Sequence, residues 1–255
     1  MNTPFDPRTV ALKPDELSGR VIAITGPTRG IGRALALACA AHGATVVLVG
    51  RNVKRLEAVH AEIQAAGGTE ATIAPFDLEK AVASDYDTLA SALMERYGRL
   101  DGLVHNASLL GMLAPIDHYD VPTWYRVMHV NVTAAFALTH VLLPVLRRSE
   151  DASIIFTSSS VGRKARAFWG AYAVSKCAIE GLSDILAQEL ENVSHVRVNT
   201  LNPGPTRTEM RLQAYPSENP ENMTPPEAIV GAYLALLGPA SRGITGQRFD
   251  AQSLR

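Results

Sequence analysis

The sequence predicts an α/β chain: one doubly wound domain on a parallel sheet of about seven strands, with helices on both faces. Three observations lead there. Short apolar, β-branched runs alternate with segments of helical spacing from residue 20 onward. Those runs are too uniformly apolar for a half-exposed antiparallel sheet, so both faces must be covered. No low-complexity stretch or linker interrupts the 255 residues, a length that a single core can serve.

Six strand-like runs can be assigned directly: residues 20–25 (RVIAIT), 44–49 (ATVVLV), 70–76, 100–105, 153–156 and 196–201. Between them, helical spacing covers about 30–42, 55–66, 86–97, 122–147 and the segment from Gly170 onward. In that last helix Ala171, Val174, Ala178, Leu182, Ile185 and Leu186 fall on one face and are expected to face the core. The whole chain, 1–255, is expected to be one domain, with 1–16 as an N-terminal extension and 207–225 as a lid. Thr224-Pro-Pro-Glu227 reads as a capping-box start to the helix that follows.

Composition excludes several function classes. A net charge of −1 gives no general pull toward nucleic acid or a membrane. Seven histidines show no tight ligand spacing, so no metal site is expected. Cys39 and Cys177 both lie in apolar helical patterns and read as buried free thiols, which fits a reducing, cytoplasmic setting. Residues 1–20 hold Pro4, Pro7 and Pro14 without an apolar core, so no signal peptide is read there. Residues 130–146 are apolar, but Asn131, Thr133, Thr139, His140 and Pro144 interrupt them, and they read as a helix covered by protein.

Two stretches carry chemistry. After the first strand comes Thr25-Gly-Pro-Thr-Arg-Gly-Ile-Gly32. Glycines at 26, 30 and 32 let backbone approach a ligand, and the N-terminus of the following helix then faces a pyrophosphate. This is the signature of a Rossmann-type nucleotide site, although three glycines alone also suit a plain tight turn. The second stretch is Tyr172 with Lys176 four residues later, in the first turns of their helix. The spacing places both on one face, about 5–6 Å apart at Cβ. A lysine ammonium and the positive end of the helix favour the phenolate, so the pair suits proton transfer to or from a substrate oxygen. Ser159, thirteen residues earlier, can hold the same oxygen.

Taken together, Thr-Gly-x-x-x-Gly-Ile-Gly at 25–32, Asn106-Ala107, Asn131, Ser159, Tyr172-x-x-x-Lys176 and Pro203-Gly204 resemble the short-chain dehydrogenase/reductase family from about Leu17 to the C-terminus. FTSSSVGR, WGAYAVSK, LNPGPTRTEMR and FDAQ look most like its bacterial YciK-like oxidoreductases. The resemblance implies a catalytic tetrad of Asn131, Ser159, Tyr172 and Lys176, with Asn131 holding a water that links Lys176 to solvent. It implies cofactor contacts from Gly26, Thr28, Arg29, Gly30, Ile31 and Gly32, from Tyr172, and from Lys176 at the nicotinamide ribose. Asp77 would meet the adenine, Asn106 and Ala107 the adenosine side, and Pro203, Gly204, Thr206 and Thr208 the nicotinamide end. Two residues depart from the pattern: Pro27 within the glycine turn, and Ser108 where Asn-Ala-Gly is common.

The second strand ends in Gly50-Arg51, without the acid that selects NAD. Arg51 and Arg29 suit a 2′-phosphate, so NADP(H) is the expected cofactor. The function these residues imply is an NADPH-dependent reductase of a ketone, aldehyde or 3-oxoacyl carbonyl, or the reverse alcohol oxidation; the alternative is a non-catalytic nucleotide-binding scaffold. Residues 109–119, 161–169 and 207–223 are expected to shape the substrate pocket. Arg163, Lys164 and Arg166 form a positive cluster there that suits an anionic or acyl-carrier-linked substrate, unless they are solvated or paired with acids such as Glu209 and Glu218. Excess apolar surface on the long helices suggests a homodimer or homotetramer.

Overall fold

The computed structural model describes residues 5–253. Seven parallel strands form one sheet in the order β3-β2-β1-β4-β5-β6-β7. They are β1 Val21–Thr25, β2 Thr45–Gly50, β3 Ala71–Pro75, β4 Gly102–His105, β5 Ser153–Thr157, β6 Arg197–Asn202 and β7 Arg248–Asp250. Six coincide with the apolar runs of the sequence. The seventh, Arg-Phe-Asp, is too short and too polar to show periodicity, and it exists by pairing with β6.

The principal helices are α1 Gly30–Ala41, α2 Val53–Ala65, α3 Ala83–Tyr97, α4 Val121–Met128, α5 Ala134–Leu146, α6 Ser160–Arg163, α7 Gly170–Leu190, α8 Glu209–Ala214 and α9 Val230–Leu237. Alternate residues of each strand face opposite layers, as the period of two requires. Ile22 and Ile24 of β1 pack with α1, α2 and α9, whereas Val21 and Ala23 pack with α3, α5 and α7. The strand order reverses between β1 and β4, so the loops beyond their C-terminal ends diverge and leave a crevice.

Several expectations need correction. The helix expected over 122–147 is divided by a π turn, His129–Thr133, between α4 and α5. The wider turn brings Asn131 against the 109 loop, where its carboxamide is bonded on both sides. The apolar run within α4 and α5 is long enough to cross a membrane, but Leu138, Leu142, Val145 and Leu146 are buried on the sheet. Thr224 does not cap a helix: it donates to Gln252, a 3₁₀ turn occupies Pro226–Ala228, and α9 begins only at Val230. Residues 207–225 contain α8. Cys39 is buried as expected, but Cys177 is exposed.

The face of α7 that turns inward is also displaced from the expected one. Ala171 and Leu186 of that face are buried, but Val174 and Ile185 are 42% and 57% exposed, while Tyr172, Ser175, Lys176, Glu180 and Ser183 are buried. Hydrophobic spacing misses this because these polar groups find partners inside, which removes most of the cost of burying them.

Candidate active site

The crevice is a continuous cleft of about 1720 Å³ running from the glycine turn to Tyr172 and α8. A single small-ligand site is roughly 300–1,000 Å³, so this one has room for two ligands side by side. Every residue of the glycine turn expected to bind cofactor lines it, from Gly26 to Gly32 with the exception of Pro27, for which no contact was expected. Arg51, Asp77, Asn106, Ala107, Pro203, Gly204, Thr206 and Thr208 line it as well, with Ser159, Tyr172 and Lys176 at the far end. Asn131 stands behind that end, lining a second, small cavity of about 10 Å³ beside Lys176 and His105. That is about the space of one water molecule.

The glycine turn is built by close approach. Gly26 takes φ +65°, the left-handed region open to glycine. A Cβ on Gly32 would stand 2.3 Å from the Gly26 carbonyl and 2.5 Å from Asn106 Nδ2, so no other residue fits there. The turn is then clamped from β4. Asn106 Nδ2 donates to the Thr25 and Gly26 carbonyls at 3.0 and 3.2 Å, and Thr25 Oγ1 accepts from the Asn106 and Ala107 amides at 3.0 Å each. The Asn106 side chain therefore holds the loop as well as lining the cleft on the side where contact with adenosine is expected. The Thr25 clamp leaves no sign in the sequence. No acidic residue occupies the first turn of α1, leaving its N-terminus electropositive and fit for a phosphate.

The two cations expected at a 2′-phosphate are present but engaged. Arg51 Nη1 lies 3.1 Å from Glu79 Oε2, and Arg126 Nε lies 2.7 Å from Glu79 Oε1. Glu79 is held below the usual carboxylate range chiefly by Arg126. Arg29 pairs with Glu209 of α8, which ties the glycine turn to the lid. These ion pairs are largely exposed and weak, so a bound phosphate dianion can displace the carboxylates.

At the other end, Tyr172 and Lys176 are only 8% and 4% exposed. Lys176 Nζ donates to the Thr157 carbonyl at 2.8 Å. Ser159 is the N-cap of α6, yet its hydroxyl makes no capping bond and is left to Tyr172 and a ligand. Asn131 accepts from the Leu109 amide at 2.8 Å and donates to the Leu109 carbonyl at 2.9 Å and to Ser175 Oγ at 3.0 Å. Both Nδ2 protons are thus used, while Oδ1 accepts one hydrogen bond and keeps a second lone pair.

Burial changes the electrostatics that the spacing suggests. It pushes the Tyr172 phenol up to about 12, with the Ser159 hydroxyl acting in the opposite direction. It draws the Lys176 ammonium down to about 8, opposed by Glu180. Burial thus disfavours the charged form of both groups, whereas spacing alone points to a stabilised phenolate.

Glu180 escapes a reading of the sequence, although it continues the Tyr172, Lys176 spacing by one more turn. It is 3% exposed, accepts from Ser158 Oγ and from Thr200 Oγ1, the latter at 2.9 Å, and pairs with Arg248 at 3.2 Å and Arg163 at 3.5 Å. Arg163 also donates to both Asp250 oxygens, at 2.8 and 2.9 Å. The expected trio of cations at the entrance is thereby broken up. Arg163 points inward to the β7 edge, whereas Arg166 lines the cleft. Glu209 and Glu218 serve Arg29 and Arg211 instead of the trio.

Comparison with known proteins agrees with this geometry. The pattern of the family described as short chain dehydrogenase matches residues 20–219. The uncharacterized oxidoreductase YciK of Escherichia coli K12 is 45% identical over 240 residues, covering 94% of each chain. A rhamnolipid-biosynthesis 3-oxoacyl-[acyl-carrier-protein] reductase of Pseudomonas aeruginosa is 32% identical over 247 residues, covering 90% of this chain and 93% of its own. A short-chain dehydrogenase structure from Escherichia coli CFT073, solved in complex with NADPH, superposes with a TM-score of 0.93 at 46% identity, over 95% of this chain and 100% of that one.

Proposed function

Because the chain belongs to the short chain dehydrogenase family, we propose that it is an NADP(H)-dependent oxidoreductase that reduces a ketone, aldehyde or 3-oxoacyl carbonyl to an alcohol, or runs the reverse reaction. The observation that carries the proposal is the placing of Tyr172, Lys176 and the Ser159 hydroxyl at one end of a cleft whose other end is the Gly26–Gly32 turn. Glycine packing, the acid-free start of α1, and the cations Arg29 and Arg51 fit a phosphorylated dinucleotide. The NADPH-bound relative supports the same cofactor.

The reduced nicotinamide supplies a hydride to the carbonyl carbon when bound. This chain's residues do the rest. Ser159 donates to the carbonyl oxygen and orients it. Tyr172, kept protonated by burial, delivers its Oη proton to that oxygen. Lys176 stands one turn away as a cation that stabilises the phenolate left behind, anchored by the Thr157 carbonyl. The small cavity lined by Asn131 and Lys176 has the space of one water through which the proton can be returned. Residues 207–225 act as a lid, since α8 closes over Trp169. Exposed Tyr125, Phe136, Val174 and Ile185 supply apolar surface for a homodimer or homotetramer. No observation favours a non-catalytic scaffold.

The test is direct. The purified protein is titrated with NADPH and NADH, then assayed for NADPH oxidation against a panel of ketones, aldehydes and 3-oxoacyl thioesters. Tight NADPH binding with turnover of at least one carbonyl class is expected; binding of neither cofactor would sink the proposal.

A further inference from the structure

The cleft ends over Tyr172 in a wall of rings. The Trp169 centroid lies 5.7 Å from that of Tyr172 and 5.9 Å from that of Tyr215, with tilts of 47° in both pairs. Leu110 and Met210 complete an apolar lining around them. Such a wall favours a flat, rigid body that can stack against tilted rings over a flexible polar chain.

Charge is distributed unevenly around this pocket. Arg211 stacks on Tyr215, its guanidinium carbon 3.8 Å from the ring centroid, and is neutralised by Glu218, 2.6 Å from its Nε. Glu209 is taken by Arg29. Each carboxylate at this end therefore already has its cation. Arg166 does not have an anion: it lines the cleft and is exposed, and its side chain makes no hydrogen bond or ion pair among the described residues. Its carbonyl accepts from the Trp169 amide at 3.4 Å, so one short turn carries both the guanidinium and the indole. Arg207, on the chain entering α8, is a second cation of the cleft with no such partner among the described residues.

Resting on the oxidoreductase reading above, we propose that the substrate is a carbonyl compound with a flat aromatic body and a carboxylate, the body lying against Trp169 and Tyr215 and the carboxylate on Arg166. A guanidinium binds a carboxylate through two parallel N–H donors, so the contact fixes orientation as well as charge. With the acid held at the rim, the carbonyl is directed inward to Tyr172 and Ser159. A neutral analogue keeps the stacking and loses that guidance. The single charged hydrogen-bonded contact predicts a preference of about 10- to 150-fold.

Three probes separate the parts of the proposal: 4-acetylbenzoate, its neutral methyl ester, and 4-acetylcyclohexanecarboxylate, which keeps the acid and removes the ring's flatness. The rates kcat/KM are measured with NADPH for the wild type, Arg166→Ala and Arg207→Ala. The wild type is expected to favour 4-acetylbenzoate over both others by about tenfold or more. Arg166→Ala should abolish the preference over the ester, leave the ester rate unchanged and leave the NADPH dissociation constant unchanged; Arg207→Ala should retain the preference. Equal wild-type rates for acid and ester, equal losses for both in Arg166→Ala, or loss of the preference in Arg207→Ala alone would each overturn the assignment to Arg166. Equal rates for the aromatic and cyclohexane acids would overturn the flat body. Turnover of other ketones with none of these three would overturn the substrate class and leave the oxidoreductase reading standing, whereas failure to bind NADPH would remove that reading itself.

Discussion

Lys176 Nζ lies 5.5 Å from the centre of the Tyr172 ring, one turn along the buried face of α7. Burial moves the two groups in opposite directions, the phenol up to about 12 and the ammonium down to about 8. Both changes favour neutral forms, and the protonated phenol is the form a carbonyl oxygen would need. Tyr172→Phe is expected to lower kcat by about 10²- to 10⁴-fold, the usual contribution of a positioned acid. NADPH affinity, measured by fluorescence titration, should be retained, and turnover within a few-fold of wild type would remove Tyr172 from the mechanism.

The lysine gives a stability prediction with a definite sign. Its folded value, about 8, lies below the ordinary lysine value of 10.5, so between these pH values the unfolded chain binds more protons than the folded one. Stability from this group therefore rises with pH across that window. Lys176→Met, which removes the buried charge, should be more stable than wild type at pH 7, by an amount on the order of 3 kcal/mol, and the gap should close as pH rises toward about 10.5. Urea midpoints at several pH values check this; a gap independent of pH would contradict it.

Arg51→Ala should weaken NADPH binding about 10- to 150-fold while changing NADH binding little, because only NADPH carries a 2′-phosphate. Removing the competitor, as in Glu79→Gln, should act in the opposite direction by freeing Arg51 from its 3.1 Å partner. Calorimetric titration with both cofactors reads both effects. Equal losses for the two cofactors in Arg51→Ala would show that the arginine supports the loop and does not read the phosphate.

Glu180→Leu should cost about 3 kcal/mol of unfolding free energy, the low end for breaking a buried ion pair, since Arg163 and Arg248 remain partly exposed. Glu180→Gln keeps an acceptor for Ser158 or Thr200 and should cost less. Denaturant unfolding of both variants decides the point. A loss below about 0.5 kcal/mol in the leucine variant would mean that solvent compensates the orphaned arginines.

The strands β1, β2, β4 and β5 are legible because each is a short, fully or almost fully buried run dominated by apolar residues, whereas β3 and β6 carry more polar or exposed positions and are marked by their β-branched residues and their place between helices. The glycine turn is legible for a related reason: Gly32 leaves no space for a Cβ, and such a demand leaves a mark in the sequence. The buried face of α7 is not legible in the same way. Its polar residues Ser175, Lys176 and Glu180 look like a solvent face until Asn131 is brought to Ser175, and Thr157, Ser158 and Thr200 to the other two, from β5, β6 and the turn beyond β5.

What the sequence determined by itself, then, was local: alternating strands and helices, a phosphate-sized turn, and a tyrosine and a lysine on one side of one helix. These depend on backbone sterics and on spacing within an element, which neighbours in the chain set. The tertiary structure decided whether charged groups were free or satisfied. It turned Arg163 inward to Asp250, 87 residues away, and left Arg166 in the cleft, though the two stand close together in the chain. It also raised the Tyr172 phenol through burial. Desolvation and ion pairing act through space, between residues far apart in the chain, and so only the folded molecule could settle them.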